Sequence, residues 1–141
     1  PGPQISRCNM PIKVSKTTGT GVYGVPFVGP SSGPVHVQVD VSALTSREVD
    51  ADGYLKPGVV LTLAGLLPTA AGDKVGVVPE AIKIHTDNTS LAGVTADPFV
   101  VVHTYGTLSR DITEDNLGAA LSAAEIAALN GAGSQIVLLL T

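Results

Sequence analysis

The sequence predicts a mixed α/β fold that is mainly β. A small barrel-like body with one short C-terminal helix follows an extended N-terminal arm. Three observations carry this reading. In residues 35–41, VHVQVDV, four valines alternate with His36, Gln38 and Asp40, the period-two pattern of a half-buried strand. Residues 1–34 hold twelve Gly or Pro, too many for a long helix or a central strand. The only clear helical signal is local, at Ser122 and Glu125, where spacing and residue types make a capping box.

Taken in order, residues 1–34 read as an arm, with Ile5, Ile12 and Val14 as isolated apolar residues in short extended pieces. GTGVYG at 19–24 matches the dinucleotide pattern G-x-G-x-x-G, which needs a strand before it and a helix after it to present an N-terminus to pyrophosphate. Here Val25-Pro26 and Gly29-Pro30 follow and no helix can start, so the stretch reads as a linker. The compact β-rich domain is expected over 35–141. Its first strand is VHVQVDV, and a polar turn at 50–53 then launches a strand across 59–63. KVGVVPEAIKIHT at 74–86 gives two short strands broken at Pro79. PFVVVHTYGTL at 98–108 begins apolar on both faces and is expected to be central. A helix of about nine residues is unstable alone in water, so the one after Ser122 must lean on the sheet through Ala123, Ile126, Ala127 and Leu129. Gly131 follows its last turn as a stop signal, and QIVLLL at 135–140 is expected to close the chain as a buried strand.

Composition narrows the function. A chain of 141 residues makes one domain, burying roughly 70 % of its unfolded surface. Net charge is −4, unevenly spread. Residues 1–34 carry Arg7, Lys13 and Lys16 with no acid, whereas the remainder carries five basic and twelve acidic residues. An acidic body argues against direct nucleic-acid binding, which needs clustered Lys and Arg. Cys8 is the single cysteine, so no intrachain disulfide can form. The longest aliphatic run, at 136–140, is far too short to span a membrane. No apolar leader core is present, and synthesis in a cytoplasm is expected, leaving the Asn88-Thr89-Ser90 sequon unused.

Asp50 and Asp52 before Gly53 resemble the start of a calcium loop, but the twelfth position, where a bidentate Glu belongs, is Leu61. A turn with Asx chemistry accounts for them. His36, His85 and His103 lack ligand spacing; His103 shares the parity of Phe99 and Tyr105 and is expected to be partly buried. Ser109 and Ser122 lie in nothing like G-x-S-x-G. Pro1 would serve as an N-terminal base only by opening a strand, which Gly2-Pro3 disfavours. No catalytic, cofactor-binding or metal-binding residue is therefore expected.

From Asp50 onward the order of signals resembles the phage head decoration proteins of the lambda type. The matching stretches are DADGYLKPGVVL at 50–61, with a Gly-x-Leu-x-x-Gly turn into a strand, and VVVHTYGTLSRD at 100–111. The third is ITEDNLGAALSAAEIAALNGAGSQIVLLL at 112–140: a loop, a short helix, a Gly-rich stop and a hydrophobic strand. The chain departs from the family in its longer N-terminal region and its lack of tryptophan. The resemblance implies a β-tulip-like body and a non-enzymatic cement protein. Such a protein joins the expanded head as a homotrimer, contacts the major capsid protein on the outer surface of the virion, and resists internal DNA pressure. The arm would then supply the capsid-binding residues: Ile5, Ile12 and Val14 laid along a sheet edge, with Arg7, Lys13 and Lys16 meeting acidic groups. The alternative is a surface β-sandwich that binds carbohydrate or a host receptor, a role that usually needs exposed aromatics. Only three Tyr and two Phe are present.

Overall fold

A computed structural model describes residues 13–15, 22–84, 98–131 and 133–139. In chain order the strands are β1 (Lys13–Ser15), β2 (Val22–Gly24), β3 (Ser32–Gln38), β4 (Tyr54–Leu55), β5 (Val60–Thr62), β6 (Val75–Val77), β7 (Ile82–Lys83), β8 (Phe99–Ser109) and β9 (Gln135–Leu139). The helices are α1 (Arg110–Leu117) and α2 (Ala123–Leu129), and one 3-10 turn spans Val41–Ala43. Of the described residues 36 % are strand and 17 % helix, so the fold is mixed and mainly β.

Strand β8 organises the body because its run of β-branched and aromatic residues suits a long pleated segment. It pairs antiparallel with β3 along one edge, from Ser32↔Tyr105 to Gln38↔Phe99. Its other edge takes β6 at Val77↔His103 and then β9, which runs parallel from Tyr105↔Gln135 to Ser109↔Leu139. Strand β5 pairs outside β6, and β4 and β7 form a separate two-stranded sheet. The central position expected of the 98–108 stretch is therefore the one it holds. The core includes Val37, Val39, Val60, Val77, Val102 and Leu108, all almost wholly buried.

The polar turn at 50–53 is built by Asp50, whose Oδ1 accepts from the backbone N–H of Asp52 (2.9 Å) and Tyr54 (3.0 Å). That is the Asx chemistry its sequence indicates. Glycine at position 53 takes φ 85°, and β4 starts at the next residue.

Three features differ from the sequence expectation. A second helix, α1, precedes the expected one. Ser109 caps it, accepting from the Ile112 N–H, and it ends where the Gly118 N–H returns to Glu114 O. Strand β9 is half-buried instead of buried: Ile136 points inward, while Gln135, Val137 and Leu139 are exposed. An aliphatic run signals a two-sided interior strand only when both faces are covered, and among the described residues β9 pairs with β8 alone. Finally, the packed body reaches N-terminal of Pro34. Strand β3 begins at Ser32, Tyr23 is buried, and Phe27 belongs to the core and bridges to Leu108.

Helix α2 carries the expected capping box. The Glu125 N–H donates to Ser122 Oγ (3.1 Å) and the Ser122 N–H to Glu125 Oε1 (2.8 Å). The helix ends at Asn130, and a Cβ at Gly131 would collide with the Ala71 carbonyl. This glycine is needed for close approach of another segment. Ser122→Ala is expected to lower stability by about 1 kcal/mol without changing any binding activity, measured by urea melts. Unchanged stability with lost binding would mean that Ser122 acts outside the cap.

Candidate interaction surface

Two surfaces stand out on this body, and each follows from how the chain is paired. The first is the root of the N-terminal arm. Strand β1 pairs antiparallel with β2, register Lys13↔Gly24, Val14↔Tyr23 and Ser15↔Val22, making a two-stranded ribbon separate from the main sheet. Among the described residues β1 pairs with β2 alone. The ribbon is pinned to the body by Asn116 near the end of α1. The Gly24 N–H donates to Asn116 Oδ1 (3.0 Å), and Asn116 Nδ2 donates back to Gly24 O (2.8 Å) and to Pro57 O (3.2 Å). The Tyr23 hydroxyl adds a bond to Asp50 Oδ2 (2.6 Å). Residues 22–24, read as part of a linker, are thus a held strand, because a buried side chain 92 residues away satisfies both polar groups of the Gly24 backbone.

Of the six arm residues expected to bind a partner, Lys13 and Val14 lie in β1. Ile5, Arg7, Ile12 and Lys16 lie outside the described residues, as do Cys8 and His85. Asn116 was not singled out in the sequence. Its position in a polar helical turn gives no sign of a partner so distant.

A cleft of about 400 Å³ lies beside the ribbon's root, lined by Tyr23, Val49, Asp50, Lys56 and Asn116 among others. Burial pushes the Lys56 ammonium below its ordinary range, opposed by Asp50 and Glu48. Its Nζ donates to Ser46 O (3.3 Å) and Leu117 O (3.4 Å), so Lys56 ties the loop before β4 to the end of α1. Nearby, Arg47 donates to Glu48 Oε2 (2.9 Å), to Glu125 Oε2 (3.0 Å) and to the Ala120 carbonyl (3.2 Å). Both carboxylates are almost wholly buried. The Glu125 hydrogen bond holds the Arg47 guanidinium above its ordinary value. Burial alone would raise the Glu48 carboxyl, but bonds from the Thr45 N–H, Arg47 and the Thr45 hydroxyl hold it below. These charges are consumed internally.

The second surface is the outward face of the main sheet. Opposed residues share a face, so the register places Ser32, Pro34, His36 and Gln38 of β3 beside alternate residues of β8 from Phe99 to Thr107. Gln135, Val137 and Leu139 of β9 continue it. Phe99 is 65 % exposed, Tyr105 57 % and Val137 60 %. His103 is half-buried although Phe99 and Tyr105, which share its parity, are exposed: Ser31 Oγ lies 2.6 Å from its Nδ1 and the Phe27 ring centroid 6.1 Å away. Among the described residues no three His, Cys, Asp or Glu side chains converge as a metal site would require, and no helix is long and apolar enough to cross a membrane. No family model, curated protein or solved structure matches this chain.

Proposed function

We propose that the chain is a capsid decoration protein that binds the expanded phage head as a homotrimer, on the outside of the shell, and stabilises it against internal pressure. The observation that carries this reading is the basic arm's root, a strand ribbon pinned through Asn116 to a small acidic β body. Strand β1 pairs with β2 alone among the described residues. An edge of that kind suits strand addition, in which main-chain hydrogen bonds supply affinity with little demand on sequence. Two of the stretches that resemble decoration proteins, 100–111 and 112–140, lie together here, since β8 pairs with β9 and α2 packs on β9. A cement protein works by differential binding: it stabilises the expanded lattice because it engages that state and not the procapsid.

The test is deletion of residues 1–16. The body is expected to stay folded, because β2 keeps its bonds to Asn116 and the core begins at Tyr23. Binding to expanded capsids is expected to fall at least about tenfold, or about 1.4 kcal/mol, in co-sedimentation. Undiminished binding by a folded truncation would move the binding site to the body.

A second reading, a module binding carbohydrate or a host receptor, draws on the exposure of Phe99 and Tyr105. Aromatic rings with one apolar face and a nearby polar rim suit sugars. Binding on a glycan array, with none to capsids, would favour it.

A further inference from the structure

We infer that the cleft beside the ribbon's root captures small, uncharged aldehydes as an imine on the Lys56 side chain. The cleft is about 400 Å³, within the size range of small-molecule sites, which are mostly apolar with a few convergent polar groups. Val49, Ala51 and Tyr23 supply apolar wall, and Asp50, Lys56 and Asn116 supply the polar groups.

Two features set Lys56 apart from Lys74, which lines a cleft of the same size but is exposed. The first is the geometry of the amine. Its Nζ lies 3.3 Å from Ser46 O and 3.4 Å from Leu117 O. A neutral amine has two N–H groups for these two acceptors and keeps its lone pair for attack. Both bonds are longer than the usual range of roughly 2.7–3.2 Å, so giving them up costs little. The second feature is the surroundings. Lys56 is half-buried, and burial pushes its ammonium below the ordinary range against the pull of Asp50 and Glu48. A larger neutral share at neutral pH is what makes a lysine a nucleophile.

The walls select the electrophile. A neutral amine adds to a carbonyl carbon. A phosphate or carboxylate compound would be repelled by Asp50, and an amine-bearing one by Lys56. An uncharged aldehyde meets neither penalty, and its carbon chain can lie against Val49 and Ala51. In the step, the Lys56 nitrogen bonds the carbonyl carbon, the C=O π bond opens, and the oxygen gains a proton that the nitrogen gives up. The C–O bond then breaks, the hydroxyl leaves with a second proton from nitrogen as water, and the C=N bond remains. No oxidant or reductant enters the capture.

Reductive trapping on the full chain tests this. The protein is incubated at neutral pH with butanal and cyanoborohydride, which fixes an imine as a secondary amine, and peptide mass spectrometry reads each lysine. Lys56 is expected to be alkylated at least about tenfold faster than Lys74 and Lys83, the ratio that one pKa unit of extra neutral amine provides. Ala51→Phe, at an exposed position on the cleft, should bring the Lys56 rate down to that of Lys74 and leave Lys74 unchanged, with thermal melts verifying that the variant is folded. In urea, where the wild-type chain is unfolded, the preference should vanish. Lys56 reacting no faster than Lys74 overturns the proposal, as does a preference that survives in folded Ala51→Phe. A preference that persists in urea would belong to the local sequence and overturns the cleft as its source.

Discussion

Arg47→Ala is expected to destabilise the protein by about 4 kcal/mol at neutral pH, within the range for removing one partner of a buried ion pair. The guanidinium bonds Glu48, Glu125 and the Ala120 carbonyl, so it joins the loop before β4 to the start of α2. Its removal strands two carboxylates that are 1 % and 2 % exposed. The pH dependence has a definite sign. In the wild-type protein Glu48 is held below its ordinary value. Its contribution is therefore present above the unfolded carboxylate range, near pH 4.3, and is lost as pH falls through the folded value. Without Arg47 only the Thr45 bonds oppose burial, so the carboxyl is held down less firmly and acid costs the variant less than the wild type. The gap between the two proteins should narrow from pH 7 towards pH 4 in urea melts. A gap that is constant with pH, or below about 1 kcal/mol throughout, would mean that the cluster is solvated and carries little.

Gly65→Ala is expected to cost about 3 kcal/mol. The residue has φ 86°, and an added Cβ would fall on the Gln38 carbonyl. A side chain in the left-handed region costs on the order of 1–3 kcal/mol, and overpacking against rigid backbone adds a similar amount. The Gly65 N–H donates to Thr62 O (2.9 Å), and Gly65 O accepts from the Asp40 N–H (3.0 Å). The strain therefore reaches both the turn after β5 and the end of β3. Gly72→Ala is the control: nothing lies within 4 Å of its added Cβ, and its stability should move by less than about 0.5 kcal/mol. Equal melts for the two variants would show that the 62–66 turn relaxes freely.

Legibility tracked the range of the interaction. The Asp50 turn, the break at Pro79 and the Ser122–Glu125 cap are made by residues within a few positions of one another, so sequence patterns report them directly. Helix α1 was missed although its signals are present: Ser109 as cap, Asp111 in the first turn and Gly118 as stop. Its sequence, RDITEDNL, lacks the apolar stripe on which a helix reading usually rests, because it buries Thr113 and Asn116 along with Leu117. Of the arm residues expected to bind, only Lys13 and Val14 fall within the described chain, and what holds their ribbon is Asn116, at a distance no local pattern encodes.

The sequence by itself determined a β-rich body, strands β3 and β5 to β9, the cap of α2 and the acidic balance of the chain beyond residue 34. Hydrophobic period, turn chemistry and charge are properties of neighbouring residues and survive without a fold. The tertiary structure alone decided which edges pair and which faces stay open. It made β9 a half-exposed partner of β8, put Arg47 between two carboxylates from separate segments, and left Tyr105 and Val137 on a charge-free face. The aliphatic run QIVLLL reads the same whether one face is covered or two. Only the placement of the other strands and α2 settles how much of it meets water, because burial belongs to the packed whole and not to any segment.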